Sequence, residues 1–469
     1  MRKICLILFL LPLFTLASYS EDYTLIKVWE YLATEPSTMH PWHVAKIGND
    51  WPHETATEMD FYSTLIRYDE NRLLLFLIEN GINEAEATAE QQAIAQKFPD
   101  RSLLWIHPND GSFLGVALVV GLSPSENSEY YTQKVTGTHP DGPTSDRSWQ
   151  IYDPWPQIAV DGDGFLYVSD KHKILRYKPD GNNGFTGPEV VFTYPEQDPP
   201  AWLGEMLGQQ LTNQHYRAWI IRSLNVKGKG NNKVMTTAAR FWIDGGGIMY
   251  YSSTDGGASW TIQTYLGQSN GPVGIGGTTS QPIEVPEFNE EWVFGTGFPG
   301  SSNRIWFGVR YLGSDSFFDV MPGDLFSPAA DAADVPETQK YMAWEMIDIA
   351  AADTLPYVAV LSLPAWQSRE SVDRQDATAW VALHSTMLDP NEDMIEGDLL
   401  STYKINVTEK DELPTDNPDW DNWDAAYLAS IKMYKNPAGY TEILWTQGTT
   451  GFGRLVVGEF ADIPDWSLF

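Results

Sequence analysis

Two segments of this chain carry one pattern, and few folds can accommodate it. Residues Gln157–Asp170 align with Arg240–Ser253. In each, an apolar strand runs into an aspartate-glycine turn, at Asp161 or Asp244, and a second strand carries a tyrosine, Tyr167 or Tyr250, two residues past its first apolar residue. Each then reaches a second turn and a third strand, Ile174–Tyr177 or Trp260–Tyr265. A chain that repeats short meanders joined by tight turns cannot bury one unit alone, so the units must stack. Composition agrees: aromatic residues make 13% of the 469 residues, beside 38 glycines and 30 prolines. Aromatic short strands cut by glycine and proline imply an all-β sandwich, barrel or propeller.

The most specific local signal is the hairpin over 250–260. Tyr250 and Tyr251 close one strand, and Trp260–Tyr265 opens the next. Between them Asp255, Gly256 and Gly257 form a turn signal, because glycine takes positive φ without steric cost. Ser253 and Asp255 are placed to accept hydrogen bonds from turn amides, and Trp260 to seal the apolar space beneath. Ser253, Asp255, Gly257, Ser259 and Trp260 resemble the Asp-box of sialidase-type β-propellers, with serine at 259 where the family has threonine. The resemblance implies a structural role for these five residues, since the box sits at the rim of a blade. Val160–Asp170 followed by Ile174–Gly181 similarly resembles an NHL or SMP-30-type repeat, except that Tyr177 follows Arg176 directly. Both resemblances imply a β-propeller.

The expected fold is therefore an all-β propeller of about seven blades, within a range of six to eight, with short helical insertions. Further strand candidates lie at Leu103–Gly115, Arg304–Tyr311, Pro356–Leu361, Thr378–Leu383, Tyr427–Tyr434 and Glu442–Trp445. Thr24–Tyr31 is expected to close the ring beside the last strands, which removes sheet edges. Asn83–Phe98 reads as a helix, with Asn83 and Glu86 as a capping box, and Trp202–Leu211 as a second. No low-complexity linker divides the chain, so residues 21–469 are expected to form a single domain.

Residues 1–20 read as a secretory signal peptide. Arg2 and Lys3 precede the apolar run Ile4–Leu16, and cleavage is expected near Ala17 or Ser20. That places the mature chain outside the cell or in the periplasm. The single cysteine, Cys5, lies inside this leader, so the mature chain has neither disulfide nor thiol chemistry. The formal net charge of −33 becomes −35 without Arg2 and Lys3. With no basic patch, nucleic acid is excluded as a partner, and no second apolar run reaches spanning length. Cations, neutral glycans and proteins remain. Asn406-Val-Thr408 is a glycosylation sequon, relevant only in a eukaryotic secretory route.

Three segments carry candidate chemistry. His40, His43, His53 and Glu54 could hold a divalent metal, or be surface-loop histidines. Asp161-Gly-Asp163 looks like the opening of a calcium loop, although the closing glutamate is absent and a plain hairpin turn also fits. Asp416, Asp419, Trp420, Asp421, Trp423 and Asp424 combine stacking surfaces with carboxylates, which suits a sugar or calcium as well as a solvated acidic loop. No cofactor follows from the sequence beyond a divalent cation such as calcium. The reading is a secreted binding or scaffold propeller. The alternatives are a glycan-directed hydrolase, sialidase-like or otherwise, and an SMP-30-like metal-dependent lactonase.

Overall fold

The computed structural model describes residues 23–32, 60–80, 88–120, 156–170, 173–193, 220–241, 247–266, 279–286, 288–296, 305–314, 319–322, 344–351, 357–364, 379–385, 387–389, 394–396, 399–405, 429–436, 439–447 and 451–459. Six four-stranded antiparallel sheets stand around an axis, so the fold is a six-bladed β-propeller, at the lower end of the expected range. Strand β1 (Tyr23–Leu32) belongs to the last blade. Blade 1 holds β2 (Asp60–Arg67), β3 (Leu73–Asn80), β4 (Ser102–Ile106) and β5 (Phe113–Val119). Blade 2 holds β6 (Ile158–Val160), β7 (Leu166–Asp170), β8 (Lys173–Pro179) and β9 (Phe185–Thr193). Blade 3 holds β10 (Ile220–Lys227), β11 (Val234–Phe241), β12 (Gly247–Ser253) and β13 (Thr261–Leu266). Blade 4 holds β14 (Ile283–Val285), β15 (Glu290–Thr296), β16 (Ile305–Tyr311) and β17 (Asp319–Pro322).

Blade 5 holds β18 (Trp344–Ala351), β19 (Tyr357–Pro364), β20 (Ala379–Ser385) and, after the small hairpin β21 (Met387–Asp389) and β22 (Met394–Glu396), β23 (Leu399–Ile405). Blade 6 holds β24 (Ala429–Lys435), β25 (Thr441–Gln447) and β26 (Gly451–Glu459), and β1 completes it from the other end of the chain. Tyr23 pairs with Glu459 and Leu32 with Gly451, so the expected ring closure by Thr24–Tyr31 is present.

Packing follows strand periodicity. Alternate residues of each strand serve the two neighbouring blades. Ile431 and Met433 of β24 join Ala359, Leu361 and Val381 of blade 5 in one core, while Leu444 of β25 packs with Leu65, Leu73 and Leu75 of blade 1 in another. The one described helix, α1 (Ala89–Lys97), links β3 to β4 and leads Phe98 into this second core. The capping box Asn83/Glu86 and the helix expected at Trp202–Leu211 lie outside the described residues, as do residues 1–22 of the expected leader.

The alignment of Asp161 with Asp244 does not mark equivalent turns. Asp161 lies between the first and second strands of blade 2, whereas residue 244 falls between the second and third strands of blade 3, at the opposite end of the propeller. The cause is physical. Second and third strands of a blade are both buried on two faces, and each places a buried tyrosine there, Tyr167 or Tyr250. The pattern therefore reports burial rather than position in the repeat.

A truer repeat lies in the turns between third and fourth strands of blades 1, 2 and 3. In each an aspartate accepts from turn amides. Asp110 Oδ1 accepts from Ser112 N (2.9 Å), Asp180 Oδ1 from Asn182 N (2.6 Å) and Gly184 N (3.0 Å), and Asp255 Oδ1 from Ser259 N (2.9 Å). Each turn also meets the preceding blade through an indole N–H. Trp29 of blade 6 donates to Pro108 O (2.7 Å), Trp105 of blade 1 to Asn183 O (2.7 Å), and Trp260 donates back to Val191 O of blade 2 (3.1 Å).

Candidate functional site

Antiparallel strands sort the connections onto two ends. First-to-second and third-to-fourth turns gather at one end, including Tyr68–Arg72, Asp161–Phe165, Gly228–Lys233 and Thr254–Trp260. Connections that pass from one blade to the next attach at the other end. His40, His43, His53 and Glu54 belong to the connection from β1 to β2, and Asp416–Asp424 to that from β23 to β24. Both sets lie outside the described residues, but their flanking strands attach them at the same end and at consecutive joints, blade 5 to 6 and blade 6 to 1.

The box-like turn occupies the tight-turn end. Ser253 Oγ donates to Asp255 Oδ1 (2.7 Å) and accepts from Gly257 N (2.8 Å), and Ser259 Oγ donates to Asp255 Oδ2 (2.5 Å). The Ser259 hydroxyl, then the Ser259 amide and the Ser253 hydroxyl, lower the Asp255 carboxyl to about 2. This depressed value contributes stability above the ordinary aspartate range, lost as pH falls through about 2. The Trp260 ring lies 4.7 Å from that of Phe192 in blade 2 and remains partly exposed. We expect Trp260→Ala to cost about 2 kcal/mol, below the full loss for a wholly buried indole. A thermal melt of the purified variant checks it.

The turn that resembles a calcium loop already holds a cation. Asp161 Oδ1 accepts from Asp163 N (2.9 Å) and Phe165 N (3.0 Å), and its Oδ2 from the Tyr167 hydroxyl (2.9 Å). Lys233, from the neighbouring blade, places Nζ 2.6 Å from Asp161 Oδ2 and 3.2 Å from Asp163 Oδ2, and 4.5 Å from the centre of the Phe165 ring. Burial alone would lower the lysine, but hydrogen bonds with Asp161 and Asp163 outweigh it and raise its pKa. An ammonium thus sits where calcium would, so this turn is a joint between blades 2 and 3. Gly162 N donating to Gly228 O (2.8 Å) and Gly230 N donating to Asp163 Oδ2 (2.6 Å) complete the joint. Lys233→Met should lower stability by about 3 kcal/mol, because it strands the buried Asp161 carboxylate. Denaturant unfolding measures the loss, and millimolar calcium should restore part of it.

Nearer the axis, the innermost strands carry small polar residues that tie blades together. Ser63 Oγ donates to Pro156 O (2.7 Å), joining blade 1 to the start of blade 2. Ser223 and Thr279 hydroxyls meet at 2.8 Å between blades 3 and 4. Asp348 of β18 accepts from Ile349 N (2.9 Å) and, across the joint, from Ile431 N of β24 (2.8 Å). The innermost strands β2, β10 and β18 are bulged beside Ser63, Ser223 and Asp348. A bulge re-aims a side chain out of the ladder.

Beside Asp348 stands Lys432, in the middle of β24. Burial lowers its pKa, and the Asp348 charge opposes the shift only in part. Among the described residues no acceptor is recorded for its ammonium. Ser430, two residues earlier on the same face of the strand, is 1% exposed and its Oγ has no hydrogen-bond partner. The sequence reading missed both residues. The available signal was the alternation over 429–435, which sets Ser430 and Lys432 against Ile431 and Met433. Among the described residues no group of three or more His, Cys, Asp or Glu could hold a metal ion, and no helix is long and apolar enough to cross a membrane.

No protein-family model matches this chain, and no curated protein matches it. Solved structures do. The SapL1 lectin in complex with α-methyl fucoside is 9% identical over 87% of this chain and 99% of its own, with a TM-score of 0.39. The intramolecular trans-sialidase from Ruminococcus gnavus in complex with oseltamivir carboxylate is 12% identical over 89% and 82%, with a TM-score of 0.34. The leech intramolecular trans-sialidase is 12% identical over 62% and 36%, with a TM-score of 0.31. The chain thus spans about a third of the leech enzyme's length. At these identities and TM-scores no ligand or reaction is carried across. The propeller rests on this chain's own sheets.

Proposed function

We propose that this chain is a glycan-binding propeller, secreted after loss of its leader, whose binding face is the end that carries the blade-to-blade connections. The observation that carries the reading is the division of labour between the two ends. The tight-turn end is committed to structure: its aspartates are occupied by turn amides, hydroxyls and Lys233. The opposite end receives the Asp416–Asp424 connection, with its two tryptophans and four carboxylates, and the neighbouring connection with His40, His43, His53 and Glu54. Aromatic faces stack on sugar rings while carboxylates accept from hydroxyls. In this reading the Ser253–Trp260 turn is an Asp-box that holds blade 3 to blade 2, and the 160–181 unit is an NHL-like repeat without a metal role.

Binding is favoured over hydrolysis because the described carboxylates nearest the axis and turns are already engaged. Both oxygens of Asp348 accept from backbone amides, and Glu442 is held by two arginines. Tryptophan fluorescence should report titration with neutral oligosaccharides, with or without calcium, while chromatography of the sugars shows no product. A Trp420→Ala, Trp423→Ala double variant should lose the fluorescence response. An equal response from that variant would remove the loop from the reading, and released sugar would make the protein a hydrolase.

A further inference from the structure

We infer that the first-to-second turn of blade 4 is a binding site for a quaternary ammonium group, built from Phe288, Glu290 and Tyr311. The inference is independent of the glycan-binding reading, because it concerns the opposite end of the propeller and another ligand class.

The surface here is open. Phe288 is 49% exposed and Tyr311 66%. A single exposed aromatic is ordinary, but these two stand on adjoining turns. Glu290 of β15 pairs with Tyr311 of β16, so their side chains lie side by side on one face of the blade. Leu312 N donates to Asn289 O (2.9 Å) and ties the two turns together. Beneath them lies the buried Trp292 indole. The Phe288 ring runs nearly parallel to it, at 11° and 5.9 Å between centres, and the Trp292 Nε1–H donates to Glu290 Oε2 (2.7 Å). One indole thus fixes both the ring and the carboxylate. The result is an anchored carboxylate with two open aromatic rings beside it.

The chain holds a filled version of this arrangement. At the first-to-second turn of blade 2, Lys233 Nζ stands 4.5 Å from the centre of the Phe165 ring and 3.2 Å from Asp163 Oδ2. Blade 4 repeats the ring and the carboxylate at its own first-to-second turn, but among the described residues Glu290 forms no ion pair. Arg310, next to Tyr311, faces the other side of the sheet by strand alternation and binds Glu291 there (2.7 Å). Residues 284–291 carry four glutamates, in a chain of net charge −33. Both the local field and the ring quadrupoles therefore favour a cation from outside the chain over a neutral or anionic guest.

Hydrogen bonding chooses among cations. A guanidinium pairs best with both oxygens of a carboxylate, and Glu290 Oε2 already accepts from Trp292. A primary ammonium brings three donors. The nearby carbonyls are taken: Val285 O by Phe288 N (3.1 Å), Pro286 O by Asn289 N (3.1 Å), Asn289 O by Leu312 N and Tyr311 O by Ser314 N (3.0 Å). A quaternary ammonium has no donor to satisfy, and its methyl groups suit apolar ring faces.

The test uses the full chain and proton NMR titrations of the ligand, with choline as the probe. The comparison ligands are its neutral carbon isostere, in which a tert-butyl group replaces trimethylammonium, and methylammonium, methylguanidinium and methyl glucoside. Choline should bind, added salt should weaken it, and each comparison ligand should bind more weakly. Tyr311→Ala should weaken choline about 2- to 5-fold, the size of one exposed cation–π contact. Glu290→Gln should weaken it about 2- to 5-fold, the size of an exposed ion pair. Glu290→Gln keeps an acceptor for Trp292 and Tyr311 is exposed, so both variants should melt with the wild type and weak binding is not a folding defect. Failure of the wild type to bind choline, or equal binding by both variants, overturns the site. Equal binding of the neutral isostere, or tighter binding of methylammonium, methylguanidinium or methyl glucoside, overturns the ligand class. The Trp420→Ala, Trp423→Ala variant should bind choline as the wild type does, which separates this site from the glycan reading; loss of choline binding in that variant places the ligand at the other end and overturns the inference.

Discussion

Glu442→Ala should lower the stability of the folded chain by about 3–5 kcal/mol, the usual loss when one partner of a buried ion pair is removed. The Glu442 side chain is fully buried. Arg67 grips it through Nε and through Nη2 to Oε2 at 2.7 Å, and Arg454 Nε lies 2.9 Å from the same oxygen. Arg67 comes from blade 1 and the other two from blade 6, so the cluster locks the joint where the ring closes. Burial lowers the Arg454 pKa and Glu442 opposes that shift. Without the carboxylate, two guanidinium groups face each other with little water. The measurement is a denaturant curve with midpoint and slope. Glu442→Gln should lose less, since it keeps an acceptor. Replacing all three residues by apolar ones of similar volume should recover most of the loss. A Glu442→Ala midpoint equal to wild type would mean the joint is wet and the cluster unimportant.

The second large effect lies at the same joint. Trp29→Ala should cost about 3–5 kcal/mol, as for other buried aromatic truncations. The indole is 8% exposed, packs edge-on to Phe452 at 6.2 Å, and donates to Pro108 O. Arg454 Nη1 donates to that same carbonyl at 2.8 Å. The two perturbations share an acceptor, so they should couple. A Trp29→Ala, Glu442→Ala double variant should lose less than the sum of the single losses. Trp29→Phe separates packing from the hydrogen bond and should lose about 1–2 kcal/mol. Strict additivity in the double variant would contradict the shared joint.

The propeller was legible because short aromatic strands and aspartate-glycine turns are local properties. Leu103–Gly115 became β4, its turn and β5, and the Ser253–Trp260 turn formed the hydrogen bonds its residue types suggest. The order within blades was not legible, as Asp161 and Asp244 show, because two-faced burial gives second and third strands the same composition. Lys233 was invisible as the occupant of the Asp161 turn, since it lies one blade away and only the ring brings it there. Lys432 was missed for the opposite reason. A lysine in an alternating strand ordinarily marks a solvent face, whereas β24 turns that face into the joint with blade 1. The candidate residues in the 33–59 and 406–428 connections were visible as chemistry, and only their end of the propeller follows from the sheets.

Blade 6 draws its strands from chain segments as far apart as Tyr23 and Glu459, whereas every other blade is cut from one continuous stretch. During synthesis β1 emerges long before its partner β26 exists. Five blades can settle while that strand remains unpaired, and the last step must bring together the largest loop in the molecule. Long-range pairing of this kind is slow, since its closure entropy is met before any contact rewards it. A chain permuted to begin at residue 437, between β24 and β25, and to join 459 to 23 would give up that arrangement. Its ring would then close through the β24–β25 pair, near the axis, and the rate of the final folding step would report which seam sets the pace.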